Sequence, residues 1–118
     1  MAQLDIRDDR PKGRLEAYED GELVGVIAYF TMATAPGPLV AVHTVVEEGQ
    51  EGKGIGSALV REFYAMAGRE DVPAVPLCPY AARWARRHPD GAPAVPAGTV
   101  DAAKAELKAQ LKASPGRW

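Results

Sequence analysis

The stretch between residues 42 and 57, VHTVVEEGQEGKGIGS, constrains the fold of this chain more than any other. An apolar run rich in valine leads into glycines at positions 52, 54 and 56, and a segment with helical periodicity follows. This pattern predicts a strand, a glycine-rich loop and a helix in direct succession. Glycine allows positive φ and a close approach of the backbone, and a helix N-terminus presents unpaired N–H groups. The stretch therefore predicts a site for a phosphate group.

Three phosphate-binding motifs share this outline, and their spacing separates them. A Walker A loop ends in Gly-Lys-Ser/Thr, whereas Lys53 is followed by Gly54. A dinucleotide fingerprint is G-x-G-x-x-G, whereas this loop is G-x-G-x-G, with too little chain after it to complete a doubly wound sheet. Residues 51–56, EGKGIG, instead resemble the coenzyme A pyrophosphate loop of GNAT acetyltransferases, Arg/Gln-x-x-Gly-x-Gly/Ala, with Glu51 in the first place. Because backbone N–H groups make that cradle, we expect Lys53 to supply the charge that Glu51 does not.

Composition excludes several classes of protein. The chain has 118 residues, 47% of them hydrophobic, which suits one globular domain. A net charge of -2 gives no electrostatic footprint for nucleic acid or an anionic membrane. One cysteine excludes an intrachain disulfide, and the first ten residues lack the pattern of a signal peptide, so we expect a cytoplasmic protein. No apolar run approaches the roughly 18 residues of a spanning helix, which predicts a soluble protein without a membrane partner.

The first thirty residues predict an antiparallel hairpin after a polar start. Residues 1–12 form the polar segment, and residues 14–18 then alternate apolar and polar side chains as a strand does. Asp20-Gly21 supplies the positive φ values of a type I′ turn, and residues 23–30 are rich in β-forming side chains.

A nearly continuous apolar run at residues 39–46 predicts a central strand covered on both faces. The turn residues Ala35-Pro36-Gly37-Pro38 precede it. By alternation along this strand, His43 is expected to share a face with Ala41 and Val45.

Further elements follow the glycine-rich loop. The apolar residues between 55 and 67 recur with the helical period, and Gly68 is a natural C-cap. Residues 72–77 predict a short edge strand, because the prolines within it cannot donate to a ladder. Residues 80–87 predict a basic helix that ends at His88.

The last part of the chain has a different composition. Residues 91–98 form an alanine- and proline-rich linker, and residues 99–113 predict a helix capped by Thr99. A helix of this length needs a buried stripe to be stable, so we expect it to dock on the domain or on a second protomer in a homodimer. The stripe consists of Val100, Ala103, Leu107 and Leu111.

Four motifs together strengthen the resemblance to the GNAT superfamily. They are His43-Thr44, residues 51–56, Cys78-Pro79-Tyr80 and His88-Pro89-Asp90. In order and spacing they look like the short single-domain GNAT-like N-acetyltransferases, over about residues 10–90. The resemblance implies an α/β GNAT fold, with helices packed on a mixed, mostly antiparallel sheet, and binding of acetyl-CoA. The chain then divides into a GNAT-like domain at 1–90 and a linker with a C-terminal helical extension at 91–118.

The resemblance also implies roles for individual residues. Backbone N–H groups near Val45 and Val46 would hold the thioester oxygen, and His43 would act as the base, with Glu47 as its rival. Tyr80 would protonate the coenzyme A sulfur, or else pack on Trp84. The pyrophosphate cradle comprises Glu51, Gly52, Lys53, Gly54, Ile55, Gly56 and Ser57.

Several alternatives remain open at the level of sequence. Cys78 either accepts an acetyl group transiently or only packs in the core. Arg83, Arg86 and Arg87, together with Lys53, either form a basic rim for the adenosine 3′-phosphate, or the arginines are a solvated helix face. No metal site is expected. The predicted function is transfer of an acetyl group from acetyl-CoA directly to an amine of a small molecule or protein. The alternatives are a coenzyme A-binding module without turnover, and an interaction protein that works through its C-terminal helix.

Overall fold

The computed structural model describes residues 4–34, 37–116 and 118. The elements of these residues are, in chain order, β1 (Leu4–Asp9), a 3₁₀ turn (Arg10–Lys12), β2 (Arg14–Glu19), β3 (Glu22–Thr31), β4 (Leu39–Val46), α1 (Ile55–Arg69), β5 (Ala74–Pro76), α2 (Pro79–Arg87) and α3 (Ala97–Ala113). The turn predicted at Ala35-Pro36-Gly37-Pro38 lies partly outside them. Among the described residues, no helix combines the length and apolar character needed to cross a membrane.

The strands form one sheet in the order β1-β2-β3-β4-β5. All neighbours are antiparallel except β4 and β5, which confirms the predicted mixed, mostly antiparallel sheet. The hairpin between β2 and β3 is also confirmed, because Asp20 and Gly21 have φ values of 52° and 82°. At the far edge, β5 covers residues 74–76 of the predicted 72–77. A strand bounded by prolines has few N–H groups to donate, which explains its shortness.

The N-terminal segment is the main error of the sequence prediction. The polar segment predicted at residues 1–12 contains a strand, β1, which pairs along its whole length with β2. Leu4 and Ile6 pack against the core, while Asp5 and Arg7, which alternate with them, lie outside and form an ion pair at 2.6 Å. Apolar and polar side chains do alternate at the start of β1, but the pattern contains only two apolar residues, which is too short to predict a strand.

One face of the sheet is covered by α1 and α2. Their buried residues, such as Leu59, Phe63 and Trp84, form a core with Leu15, Ile27, Tyr29 and other inward-facing strand residues. The prediction that Gly68 ends α1 is wrong. The helix runs on to Arg69, and Asp71 takes the left-handed conformation with φ 56°, which aspartate tolerates better than most residues.

The opposite face is covered by α3. Ala103 is fully buried in a second core with Phe30, Met32, Val40 and Val75, and Val100 and Leu107 pack against this core. The predicted helix and its docking on the domain are therefore confirmed, although Leu111 stays 41% exposed. Thr99 is not the cap. The helix begins at Ala97, after Pro96, without a side-chain cap, and Thr99 lies in its first turn.

Candidate active site

The sheet opens between β4 and β5. These strands pair only from Leu39 to Ala41, and the N–H groups of Leu77 and Cys78 then both donate to the Ala41 carbonyl, at 3.1 and 3.0 Å. After that point the chain turns into α2. The part of β4 beyond Ala41 therefore pairs with β3 on one edge, and none of the described strands pairs with its other edge.

The backbone of this open edge offers hydrogen-bond donors. The Glu47 N–H donates to the Val24 carbonyl of β3 at 2.9 Å. Because successive residues of an antiparallel strand alternate the edge to which their N–H groups point, the amides of Val46 and Thr44 face the opening and that of Val45 faces β3. Of the two strand amides expected from the sequence, Val46 thus lies at the open edge, and Thr44 takes the second place there.

The glycine-rich loop continues from this edge to the N-terminus of α1. Gly49, Gly52 and Gly54 have φ values of 85°, 83° and 78°, in the left-handed region that favours glycine. The first helical hydrogen bond runs from the Ala58 N–H to the Gly54 carbonyl at 3.0 Å. The N–H groups of residues 55–57 consequently have no partner inside the helix. Ile55 and Gly56 line an open cavity of about 300 Å³ together with loop residues, Val46 and Tyr80.

Glu51 and Lys53, the charged residues of the predicted cradle, both make contacts within the protein. The Glu51 carboxylate accepts a hydrogen bond from the Gly49 N–H at 3.0 Å, so it holds the loop in shape. Lys53 donates to the Gln50 side chain at 2.9 Å and lies 3.8 Å from the Glu19 carboxylate on β2. The lysine charge is therefore partly engaged by the hairpin.

Tyr80 lies over the first turn of α1. A Cβ built at Gly56 would come within 2.7 Å of the Tyr80 hydroxyl, so the ring occupies the space that the missing side chain leaves. Tyr80 is 36% exposed and lines the cavity beside the loop, with the Arg83 guanidinium 6.0 Å above its ring. It is thus near the predicted thioester position.

Trp84 joins α2 to the start of α1, a link that the sequence analysis did not predict. Its indole N–H donates to the Ser57 hydroxyl at 3.0 Å. Its ring stacks between Tyr64 and His88, with centroids 5.6 and 4.2 Å away, rather than on Tyr80. The Nδ1 of His88 donates to the Trp84 carbonyl at 2.9 Å, which confirms His88 as the helix end. The i, i+4 spacing of Trp84 and His88 in the sequence could have predicted the stacking of these two rings.

Cys78 lies at the base of the opening. It is 3% exposed, and its Sγ is 3.4 Å from the Thr44 hydroxyl. Both side chains point to the α1 face of the sheet, in line with the packing role expected for this cysteine.

His43 lies on the other face, and its expected alignment with Ala41 is wrong. The register of β4 against β3 shifts, so that Ala41 pairs with Tyr29 and His43 with Ala28, leaving Val42 as an extra residue. Ala41 therefore faces the α1 core. His43 lines an open cavity of about 370 Å³, whose other wall residues include Val45, Glu47, Arg14 and Trp118.

The arginines of α2 are exposed, as a solvated helix face would be. Arg87 lines an open cavity of about 490 Å³ with Arg61, Trp84 and His88. An aromatic floor with two arginines beside it suits a planar ring and a phosphate.

Comparisons with known proteins were made for the whole chain. A family model described as GCN5-related N-acetyl-transferase matches residues 14–93. Among solved structures, the chain is similar to the ribosomal-protein-alanine N-acetyltransferase from Brucella melitensis biovar Abortus 2308, with a TM-score of 0.53 and 23% identity. The match covers 70% of this chain and 62% of that one, so this chain spans less than two thirds of its length. The likeness shows that the fold is the GNAT fold. No protein with a curated description matches the chain.

Proposed function

The chain belongs to the GCN5-related N-acetyltransferase family, whose model matches most of its length, and we propose that it transfers an acetyl group from acetyl-CoA to the nitrogen of an amine. Family membership supports acyl transfer in general. The donor and the acceptor are the proposed part.

One observation carries this proposal: the open edge of β4 leads directly into the N-terminus of α1. The strand amides of Thr44 and Val46 come first, the positive-φ glycines follow, and the unpaired N–H groups of residues 55–57 end the series. A ligand with a carbonyl at one end and a pyrophosphate further along matches these donors in order. The cavity beside the loop is open, and no side chain would meet a Cβ at Gly52 or Gly54. These residues therefore fit coenzyme A.

The chain's own groups then have defined tasks. Bound acetyl-CoA supplies the acetyl group as a thioester. The amides of Thr44 and Val46 donate to the carbonyl oxygen, and those of residues 55–57 donate to the pyrophosphate. His43, with Glu47 nearby on the same face, accepts the proton of the acceptor amine. Tyr80 donates a proton to the sulfur as the carbon–sulfur bond breaks and the carbon–nitrogen bond forms.

Cys78 is not assigned to the chemistry. It is buried and directed toward the Thr44 hydroxyl, and attack by an amine on a thioester needs no enzyme nucleophile. A Cys78→Ala protein is expected to retain appreciable turnover. An acetyl adduct on Cys78 that is competent for transfer, detected by mass spectrometry with acetyl-CoA alone, would contradict direct transfer.

Calorimetric binding of coenzyme A to Gly54→Val tests the cradle. Gly54 and Gly21 have φ values of 78° and 82°, and a Cβ would enter open space at both. Valine is therefore strained to a similar degree at either position. Only at Gly54, which precedes α1, would its side chain block the approach of a ligand to the helix N-terminus. We expect Gly54→Val to lose binding and Gly21→Val to keep it. Equal affinities in the two folded proteins would refute the proposal.

A coenzyme A-binding module without turnover is the second candidate. The state of the proposed base favours this candidate. The backbone cradle is complete, whereas the His43 imidazole makes no hydrogen bond to the residues that the structure describes and only lines an open cavity. Thiol release from acetyl-CoA with a panel of amines separates the two functions. Binding without release for any amine would favour the module.

A further inference from the structure

The cavity beside His43 has a floor built by strand register. Across β2, β3 and β4, one row of paired residues consists of Arg14, Ala28 and His43. Adjacent strands are about 4.8 Å apart, so the Cα atoms of Arg14 and His43 are separated by roughly 10 Å. The small side chain of Ala28 between them leaves a hollow. The two ends of this hollow carry different charged side chains, and these determine which ligand groups can bind at each end.

The end on β2 is cationic. Arg14 and Lys12 both line the cavity. Arg14 is paired to Glu16 through Nε, at 3.3 Å, and Lys12 lies 3.9 Å from the Asp9 carboxylate. Within the described part of the chain, neither side chain donates a hydrogen bond, so the terminal guanidinium nitrogens and the ammonium group remain available for an anion.

The end on β4 suits an amine. His43 and Glu47 line the cavity there. His43 belongs to β4, whose open edge carries the proposed thioester-binding amides, and Glu47 directly follows that strand. A carboxylate attracts an ammonium group, and an imidazole can take its proton. An amine held at this end is therefore close to the open edge of β4.

Beside this row the floor is largely apolar. The next row across the three strands consists of Glu16, Val26 and Val45. Glu16 is engaged by Arg14, and Val45 is 47% exposed. Trp118 forms a wall, with its ring 6.0 Å from that of Phe30. An exposed valine beside an indole provides contact surface for a hydrocarbon side chain.

We propose that the acceptor is a small amine that also carries a carboxylate, namely a free amino acid with an apolar side chain. Its carboxylate lies against Arg14 and Lys12, its amine faces His43 and Glu47, and its side chain covers Val45 and Trp118. A cavity of about 370 Å³ is large enough for such a molecule. This inference rests on the proposed function, since it names the substrate of the same site.

Matched pairs of acceptors test the carboxylate. Leucine and 3-methylbutylamine differ only in that group, as do phenylalanine and 2-phenylethylamine. With acetyl-CoA saturating, we expect kcat/KM from thiol release to be about 10- to 100-fold higher for each amino acid than for its amine, as expected of one or two charge-assisted hydrogen bonds. Arg14→Gln should remove this preference through KM, and Lys12→Gln should reduce it. Lys104→Gln, an exposed lysine on α3, should leave it intact.

A binding measurement separates this inference from the proposed function. Leucine alone is expected to shift the NMR signals of the His43 imidazole and the Trp118 indole saturably, and 3-methylbutylamine to shift them much less. Leucine binding without thiol release would support the site and contradict the acetyltransferase. Thiol release with equal kcat/KM for the paired acceptors, or no leucine-dependent shift in the wild-type protein, would overturn the site.

Discussion

Gly56→Ala tests whether the position of Tyr80 matters for turnover. A Cβ at Gly56 would lie 2.7 Å from the Tyr80 hydroxyl and 2.8 Å from its Cζ, whereas ordinary contacts begin at 3.4 Å. The ring must therefore move by roughly 0.7 Å, the difference between the first and last of these distances. Tyr80 is 36% exposed and moves toward solvent easily, so we expect the free energy of unfolding to fall by less than about 1 kcal/mol.

Turnover should respond much more than stability. A displacement approaching 1 Å of a catalytic group can cost about 100-fold, so kcat of Gly56→Ala should fall by about 10- to 100-fold. Tyr80→Phe removes the phenol itself and should cost about 100-fold or more. Both substitutions act on the same step, the proton transfer from Tyr80. The double variant should therefore be no slower than Tyr80→Phe alone. Affinity for coenzyme A should stay within about threefold, since the backbone cradle is kept.

Gly68→Ala is the matched control for this experiment. Gly68 lies in the same helix, and a Cβ there meets nothing within 4 Å. The assay is steady-state thiol release at saturating acetyl-CoA, with thermal unfolding measured on each protein. The reasoning is refuted if Gly56→Ala turns over as fast as Gly68→Ala, or if the two losses multiply in the double variant.

Three further predictions concern affinity, packing and pH. Glu51→Gln keeps an acceptor for the Gly49 N–H but removes a negative charge beside the cradle. Repulsion between two charges 4 Å apart in water costs about 1 kcal/mol, so coenzyme A should bind about fivefold tighter by calorimetry. Weaker binding would contradict this. Ala103→Asp places an unpaired charge at a fully buried position and should lower the free energy of unfolding by about 3 kcal/mol or more in urea denaturation. Ala105→Asp, on the exposed side of α3, should lower it little. Similar losses for the two variants would contradict the docking of α3. Burial raises the pKa of Tyr64 to about 12, so above pH of about 10 the unfolded chain loses a proton that the folded protein keeps, and stability should fall as pH rises from there toward 12. Tyr64→Phe should lose part of this fall, and an unchanged pH dependence would show that Tyr64 does not contribute to it.

The parts of the fold that were predictable depend on local chemistry. Asp20-Gly21 specifies its turn through positive φ, and residues 39–46 form a strand with the predicted bounds because their apolar character is continuous. The loop and the start of α1 follow from glycine spacing alone. In each case the determining residues are neighbours in sequence.

The parts that were missed depend on pairing over long distances. The face on which His43 lies is decided by an extra residue in β4 opposite β3, and no property of the local sequence signals that shift. The same holds for Arg14, which enters the proposed acceptor site only through its register across two strands. Trp84 and Ser57 are a third case, since their hydrogen bond joins two helices.

The docking of α3 also bears on where this domain ends. Similarity to the family stops at residue 93, but the second core does not, since Phe30, Met32 and Val40 are covered by residues beyond that point. A protein cut at residue 93 would present these side chains to water as one apolar surface on a sheet, the kind of surface through which proteins aggregate. The end of the family match and the end of the packed core are therefore different places.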